Sequence, residues 1–278
     1  MKSSVSKKAR FWIPLILKIL LGILIVTPVI ICILFSFKPN GEMLVTTIRT
    51  IFPKKWTLEN YKYVLVDVGI QRYLKNTFIQ CFSIMITQMV FCSLAAYAFV
   101  FYKFKGKKLL WMLILASVII PADVVVIMNY VQVQKWHLTN THLGMALPFL
   151  AGGLGIFLMR QFYKTIPKEL SEAAEIDGCG KMMFFWKIVF PLSVPSLASL
   201  AIRQFVIVYN RYFWPLLVVD KDRMRTIQTG MAYLEGGEGG KISHVMAGAS
   251  FCIIIPVIVF IFGQKYIVRG MTAGSVKG

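Results

Sequence analysis

The sequence predicts an all-α polytopic membrane protein with six transmembrane helices, and three observations predict it. The 278-residue chain is 57% hydrophobic, with a mean hydropathy of +0.68. Only 15% of its residues are charged, against roughly 25% in soluble domains. Its apolar runs approach the length of a bilayer span, about 20 residues, and Lys and Arg cluster between them at alternate ends. The net charge of +19 therefore reflects membrane topology. No nucleic-acid-reading motif accompanies it, so DNA and RNA are excluded as partners.

The elements follow in order. Lys2, Lys7, Lys8 and Arg10 precede an apolar run over residues 12–37. A secretory signal also begins basic, but its apolar core is shorter and ends at small residues. Phe35-Ser36-Phe37-Lys38 offers no such site, so this is an uncleaved first span. Residues 38–75 read as an external loop with turn signals at Pro39-Asn40-Gly41 and Pro53, and with a short helix near Leu58–Val66. A second span covers residues 76–102. Lys103, Lys105, Lys107 and Lys108 follow it, the densest basic turn in the chain, and place that end inside. The third span, 109–130, is interrupted at Pro121. The fourth, 143–160, carries Gly152, Gly153 and Gly155, small residues that let neighbouring helices approach. The fifth and sixth cover 191–219 and 243–265. Residues 1–278 thus form one transmembrane domain with both termini cytoplasmic.

Catalysis finds little support. The five cysteines form no C-x-x-C pair, and the histidines His137, His142 and His244 lie near span ends. No metal site is expected. Gly236 to Lys241 superficially resembles a phosphate loop, but Glu235 stands where the first glycine belongs and Ile242 where Ser or Thr belongs.

Residues 163–190 are unlike their surroundings. Glu169, Glu172, Glu175 and Asp177 are interleaved with Lys168, Lys181 and Lys187. Pro167 suits a first helical turn, Lys168–Ile176 reads as a short helix, and Gly178 stops it. The bland alternative is a solvated loop between spans. Glu172-Ala173-Ala174, three residues, Gly178, nine residues, Ile188, one residue, Phe190-Pro191 resembles the EAA loop of ATP-binding-cassette importer permeases. The family pattern has Leu where Phe190 stands. The resemblance implies the type I importer permease fold, with this loop as a coupling helix docked on a cytoplasmic ATPase. It makes Glu172, Ala173, Ala174, Asp177, Gly178, Ile188 and Pro191 the coupling residues. It also implies a second homologous permease subunit, an ATPase dimer, an extracellular or periplasmic solute-binding protein and a bacterial inner or plasma membrane. No cofactor is implied in this chain, since ATP and Mg belong to the ATPase.

The fifth span is polar for its place, with Arg203, Asn210 and Arg211. A charge in hydrocarbon is costly. Arg203 lies about 18 Å along a helix from Pro191, near mid-depth, and Asn210 follows on the same face. These two residues and Asp123 are candidates for a substrate path. The structural alternative is an Arg203–Asp123 pair. Arg211 is expected to snorkel to the outer surface. Tyr209-Asn210-Arg211-Tyr212-Phe213-Trp214-Pro215-Leu216, Ile120-Pro121-Ala122-Asp123 and the tail from Gln264 to Gly278 resemble motifs of the carbohydrate-uptake branch, the shorter permease of the pair. That implies alternating-access import of sugars or oligosaccharides, with glycerol-3-phosphate as the alternative. An ATP-independent secondary transporter is the competing class. It would require internal symmetry and an intramembrane acid–cation relay.

Overall fold

A computed structural model describes residues 2–43, 51–236 and 241–272; the side chains of residues 2–11, 122, 123 and 265–272 lie outside the description. The last residues of the tail motif, Gly274 to Gly278, and most of the glycine loop before Lys241 also fall outside it.

All regular structure among the described residues is helical. In chain order the helices are α1 (Lys2–Ser36), α2 (Asn40–Met43), α3 (Glu59–Val66), α4 (Ile70–Phe101), α5 (Lys107–Ile119), α6 (Ala122–Lys135), α7 (His142–Ala146) and α8 (Gly153–Tyr163). They continue as α9 (Lys168–Ile176), α10 (Lys181–Phe184), α11 (Phe190–Leu192), α12 (Val194–Tyr209), α13 (Phe213–Val218), α14 (Ile227–Gly236) and α15 (Ile242–Thr272). Among the described residues three helices are long and apolar enough to cross a membrane, within α1, α4 and α15, and six spans result if each of three bent helix pairs counts as one.

The bends have identifiable causes. α5 stops at Ile120, which is extended at ψ 120°, because the residue before a proline is pushed out of the helical region. The segment His142–Phe149 meets α8 at 51°, across extended Gly152. Lys181–Leu192 meets α12 at 71°. Here the structure differs from the sequence reading, which opens the span at residue 191. The helical path starts at Lys181, passes through a π-turn at Phe185–Val189 and bends at Ser193. Pro195 sits in the first turn of α12, where a missing N–H costs nothing; Pro191 lies within the helical path just past the π-turn, whose carbonyls lose the N–H it lacks. A mid-helix π-turn often marks a functional segment.

The chain divides into two compact units, one of residues 1–70 and 231–254, the other of residues 71–230 and 255–278. In the first, the short helix α3 occupies the place expected near Leu58–Val66. Asn60 Nδ2 donates to the Ser36 and Lys38 carbonyls, both at 2.8 Å. Tyr61 packs on Phe37 and Phe251, and Tyr63 stacks on His244 at 4.0 Å. Ser243 donates to Asn40 Oδ1. Lys38, which the sequence reading counts as a loop lysine, is 1% exposed, with its ammonium 4.2 Å from the Phe35 ring centroid.

In the second unit, α4 is the axis. It begins at Ile70, ahead of the charge-free run. Its start is latched to the segment before α14: Tyr73 donates to Asp222, Asn76 to the Arg223 and Arg225 carbonyls, and Ile227 N–H to Thr77 Oγ1. Its other half carries the main core, where Cys92, Ala96 and Tyr97 meet Met159, Tyr163, Phe184, Phe185, Leu197 and Leu200. Gly155 is required by that packing, since a Cβ there would lie 2.8 Å from Cys92 Sγ.

Candidate coupling helix and substrate path

α9 has the ends that the sequence predicts. Pro167 is its N-cap and Asp177 its C-cap. Gly178 then adopts φ +68°, the left-handed cap that glycine supplies without strain. The Cys179 N–H returns to the Ala174 carbonyl at 2.8 Å. One face of this helix is rooted in the unit. Ala174 is buried against the cluster containing Tyr97 and Phe184, and a small hollow under the helix is lined by Tyr97, Phe101, Ser171, Ala174 and Glu175.

The opposite face is free. Glu172, Ala173, Asp177 and Gly178 are exposed. Ile176 is 86% exposed. Leu170 on the same helix is exposed to a lesser degree, 39%, and an isoleucine standing this far out of an acidic helix is unusual for a solvated loop. Ile188 lies within the π-turn and is half-buried, and Pro191, just beyond it, is exposed. The geometry therefore joins Ala174 to the core, leaves Glu172, Ala173, Ile176, Asp177 and Gly178 outward, and puts Ile188 and Pro191 on the helical path that follows.

Tyr97 links the two. It is 2% exposed, and its hydroxyl donates to the Lys181 carbonyl at 2.6 Å. Its ring packs against Phe101, Tyr102 and Phe185. Nearby, Ser93 and the Tyr163 hydroxyl are hydrogen-bonded. α4 thus grips the segment joining α9 to α12.

The substrate-path candidates are arranged differently. Arg203 and Asn210 are exposed on one stripe of α12, together with Ile207, as the i, i+4, i+7 spacing requires. Asn210 Nδ2 turns back to its own helix and donates to the Val206 carbonyl at 2.9 Å. Arg203 forms no ion pair among the described residues, where both ion pairs are made by Asp222. Asp123 lies in the first turn of α6, and its side chain, hence the Arg203–Asp123 pair, is outside the described residues.

Arg211 departs from the sequence reading. It does not snorkel: its guanidinium lies 3.5 Å from the Phe149 ring centroid, and its Nη1 is buried with no acceptor among the described residues. The break between α12 and α13 folds it inward, where Phe149 meets Trp214 edge-on and Trp214 Nε1 donates to the Met145 carbonyl at 3.1 Å.

Residues 88–273 match the family model described as "Binding-protein-dependent transport system inner membrane component". The chain belongs to that family. It is therefore a multi-pass component of the cell membrane, the permease of an ATP-binding-cassette transport system. ATP is bound by a separate ATPase subunit and the permease carries no cofactor of its own. An ATP-independent carrier is set aside on the same ground.

Among its relatives is the arabinooligosaccharides transport system permease protein AraQ of Halalkalibacterium halodurans, 35% identical over 255 residues and 91% of each chain. AraQ of Bacillus subtilis is 28% identical over 93% of each. The sn-glycerol-3-phosphate transport system permease protein UgpE of Yersinia pestis is 35% identical over 71% of each. The permease also shares its fold with a chain from the crystal structure of a bacterial transporter that imports the acidic polysaccharide alginate. That match has a TM-score of 0.83 at 20% identity, over 94% of this chain and 97% of the other.

Proposed function

We propose that this permease imports neutral oligosaccharides of the arabinooligosaccharide type by alternating access. The observation that carries the substrate class is the 35% identity over nearly the whole of both chains to a permease named for that cargo. In this reading a second, homologous permease completes the membrane core, a solute-binding protein delivers sugar outside, and an ATPase dimer docks inside. The exposed face of α9 is the docking element, with Glu172, Ala173, Asp177 and Gly178 at its surface and Ile176 as its apolar contact. Ile188 and Pro191 carry the movement onward into α12. ATP binding closes the cassettes, α9 follows, and the α10–α11 segment transmits the displacement to α12, because Tyr97 and Phe185 clamp that segment against α4.

The topology in this reading puts α9, the lysine turn and both termini in the cytoplasm. Cysteine placed at Lys55 in a cysteine-free background reacts with an impermeant thiol reagent from outside, and cysteine at Lys105 does not. The reverse pattern overturns the arrangement. The substrate is tested in proteoliposomes holding the assembled transporter, by ATP-dependent uptake of labelled arabinooligosaccharides against labelled glycerol-3-phosphate. Glycerol-3-phosphate is retained as the second reading because the Yersinia relative is equally identical over a shorter stretch. Preferential uptake of the phosphate ester would favour it and reject the first.

A further inference from the structure

Arg160 closes the last turn of α8 and is not used by the coupling path. Its guanidinium lies 3.9 Å from the centroid of the Trp111 ring on α5. Trp111 in turn stacks on Phe157 and meets the edge of Phe99, so the stack is fixed from three sides. Arg160 Nε is buried without an acceptor among the described residues. No carboxylate there pairs with it, since both ion pairs belong to Asp222. A second cation lies one helical turn from Trp111. Lys107, half-buried at the start of α5, shares the Trp111 face at i, i+4; its ammonium lies 5.9 Å from the Phe104 ring centroid and donates to the Tyr102 carbonyl at 2.8 Å. Two cations flanking one tryptophan, with no carboxylate paired to Arg160 among the described residues, suit an anion that joins them.

The surroundings select the source of that anion. α5 has no buried residue, and Leu109, Leu110 and Leu113 stand exposed directly beyond Lys107. Apolar surface rising from a pair of cations and a tryptophan matches the headgroup zone of a bilayer. Arginine donors bind phosphate oxygens in a bidentate way, and lysine adds a point charge.

We infer that Arg160, Lys107 and Trp111 form a binding site for the phosphate of an anionic phospholipid, whose acyl chains lie along α5. The leaflet rests on the cytoplasmic placement of the lysine turn, which the thiol-labelling experiment tests by itself; lipid capture does not depend on it. The test uses the full chain, with any subunits that co-purify, in phosphatidylcholine vesicles containing spin-labelled phosphatidylglycerol. The motionally restricted lipid fraction is the readout. Arg160→Gln and Lys107→Gln should each weaken phosphatidylglycerol capture about five-fold, the factor expected for one cation at a membrane surface. Arg160→Lys, which keeps the charge, should retain most of it. Lys103→Gln and Lys105→Gln, exposed in the same turn, should change it far less. If Arg160→Gln does not assemble, Lys107→Gln carries the test alone. Equal losses from all four neutralised positions would reduce the site to general surface charge and overturn the proposal. Displacement of the lipid by inorganic phosphate at matched concentration would assign the cations to a free anion and overturn it too.

Discussion

At one end of the 71–230 unit, α9 is held from beneath by Ala174 and Tyr97 while its other face is bare. On α12 the proportions are reversed for the residues of interest. Leu197, Leu200 and Phe205 bury one side, and Arg203, Ile207 and Asn210 form a stripe that is exposed among the described residues. The first arrangement is complete within one chain up to the surface that meets a partner. The second is half of a surface, because a cation in a membrane helix requires water, a substrate or a neighbouring subunit beside it. Under the proposed function, the difference teaches that the coupling surface is formed within this subunit, whereas a transport path along α12 would need a second surface to complete it.

The sharpest way to break the coupling half is at Ile176. Because the side chain is 86% exposed, Ile176→Asp should alter folding by no more than about 0.5 kcal/mol. If Ile176 anchors the ATPase, burying the new charge should weaken association on the order of 2 kcal/mol, roughly thirty-fold. Co-purification of the ATPase with the variant at unchanged affinity would remove Ile176 from the interface. Gly178→Val comes next. A non-glycine residue at φ +68° costs about 1–2 kcal/mol, and the space around it is open, so the penalty falls on the cap and not on the core. The variant should insert and assemble, yet lose about ten-fold in uptake per ATP hydrolysed. Unchanged uptake in an assembled complex would count against the coupling role.

How far these features were legible in the sequence follows the same division. The ends of α9 were legible because capping is local: Pro167 and Gly178 act within a turn of their own positions. The bend before α12 was only half legible. Pro191 marks it, but the apolar spacing of Phe185–Val189 does not distinguish the π-turn found there from an ordinary helical turn. Tyr97 was invisible, since its acceptor lies 84 positions away and nothing near it signals a distant carbonyl. Arg211 was read as snorkelling by depth alone. A break between α12 and α13 re-aims it at Phe149, and no periodicity argument predicts where a side chain goes after a helix stops.

The path half is sharpened by separating a pair from a cavity. Arg203→Leu should lower uptake about ten-fold under either arrangement, through the loss of a charged contact worth about 1.5 kcal/mol. Adding Asp123→Asn distinguishes them. If the two side chains pair, the double variant leaves no charge stranded and uptake recovers. If Arg203 faces the cargo, the double variant assembles and still transports poorly, with glycerol-3-phosphate affected more than a neutral sugar. Full recovery would end the substrate-path role of Arg203.

The smallest expected effect belongs to Tyr97. Tyr97→Phe removes the hydroxyl that donates to the Lys181 carbonyl at 2.6 Å and keeps the ring that packs on Phe101 and Phe185. The Lys181 carbonyl retains a second donor, the Phe185 N–H, so it is not left unsatisfied. The net cost is therefore one hydrogen bond, about 1 kcal/mol, and the complex should assemble normally. What should change is the stiffness of the joint between α4 and α10. ATP hydrolysed per sugar transported should rise by up to about five-fold, the factor that ~1 kcal/mol allows, while ATPase affinity for the membrane core stays constant. A role limited to structure would move assembly and leave that ratio alone. An unchanged ratio with intact assembly would show that the ring alone holds the segment and that the hydroxyl transmits nothing.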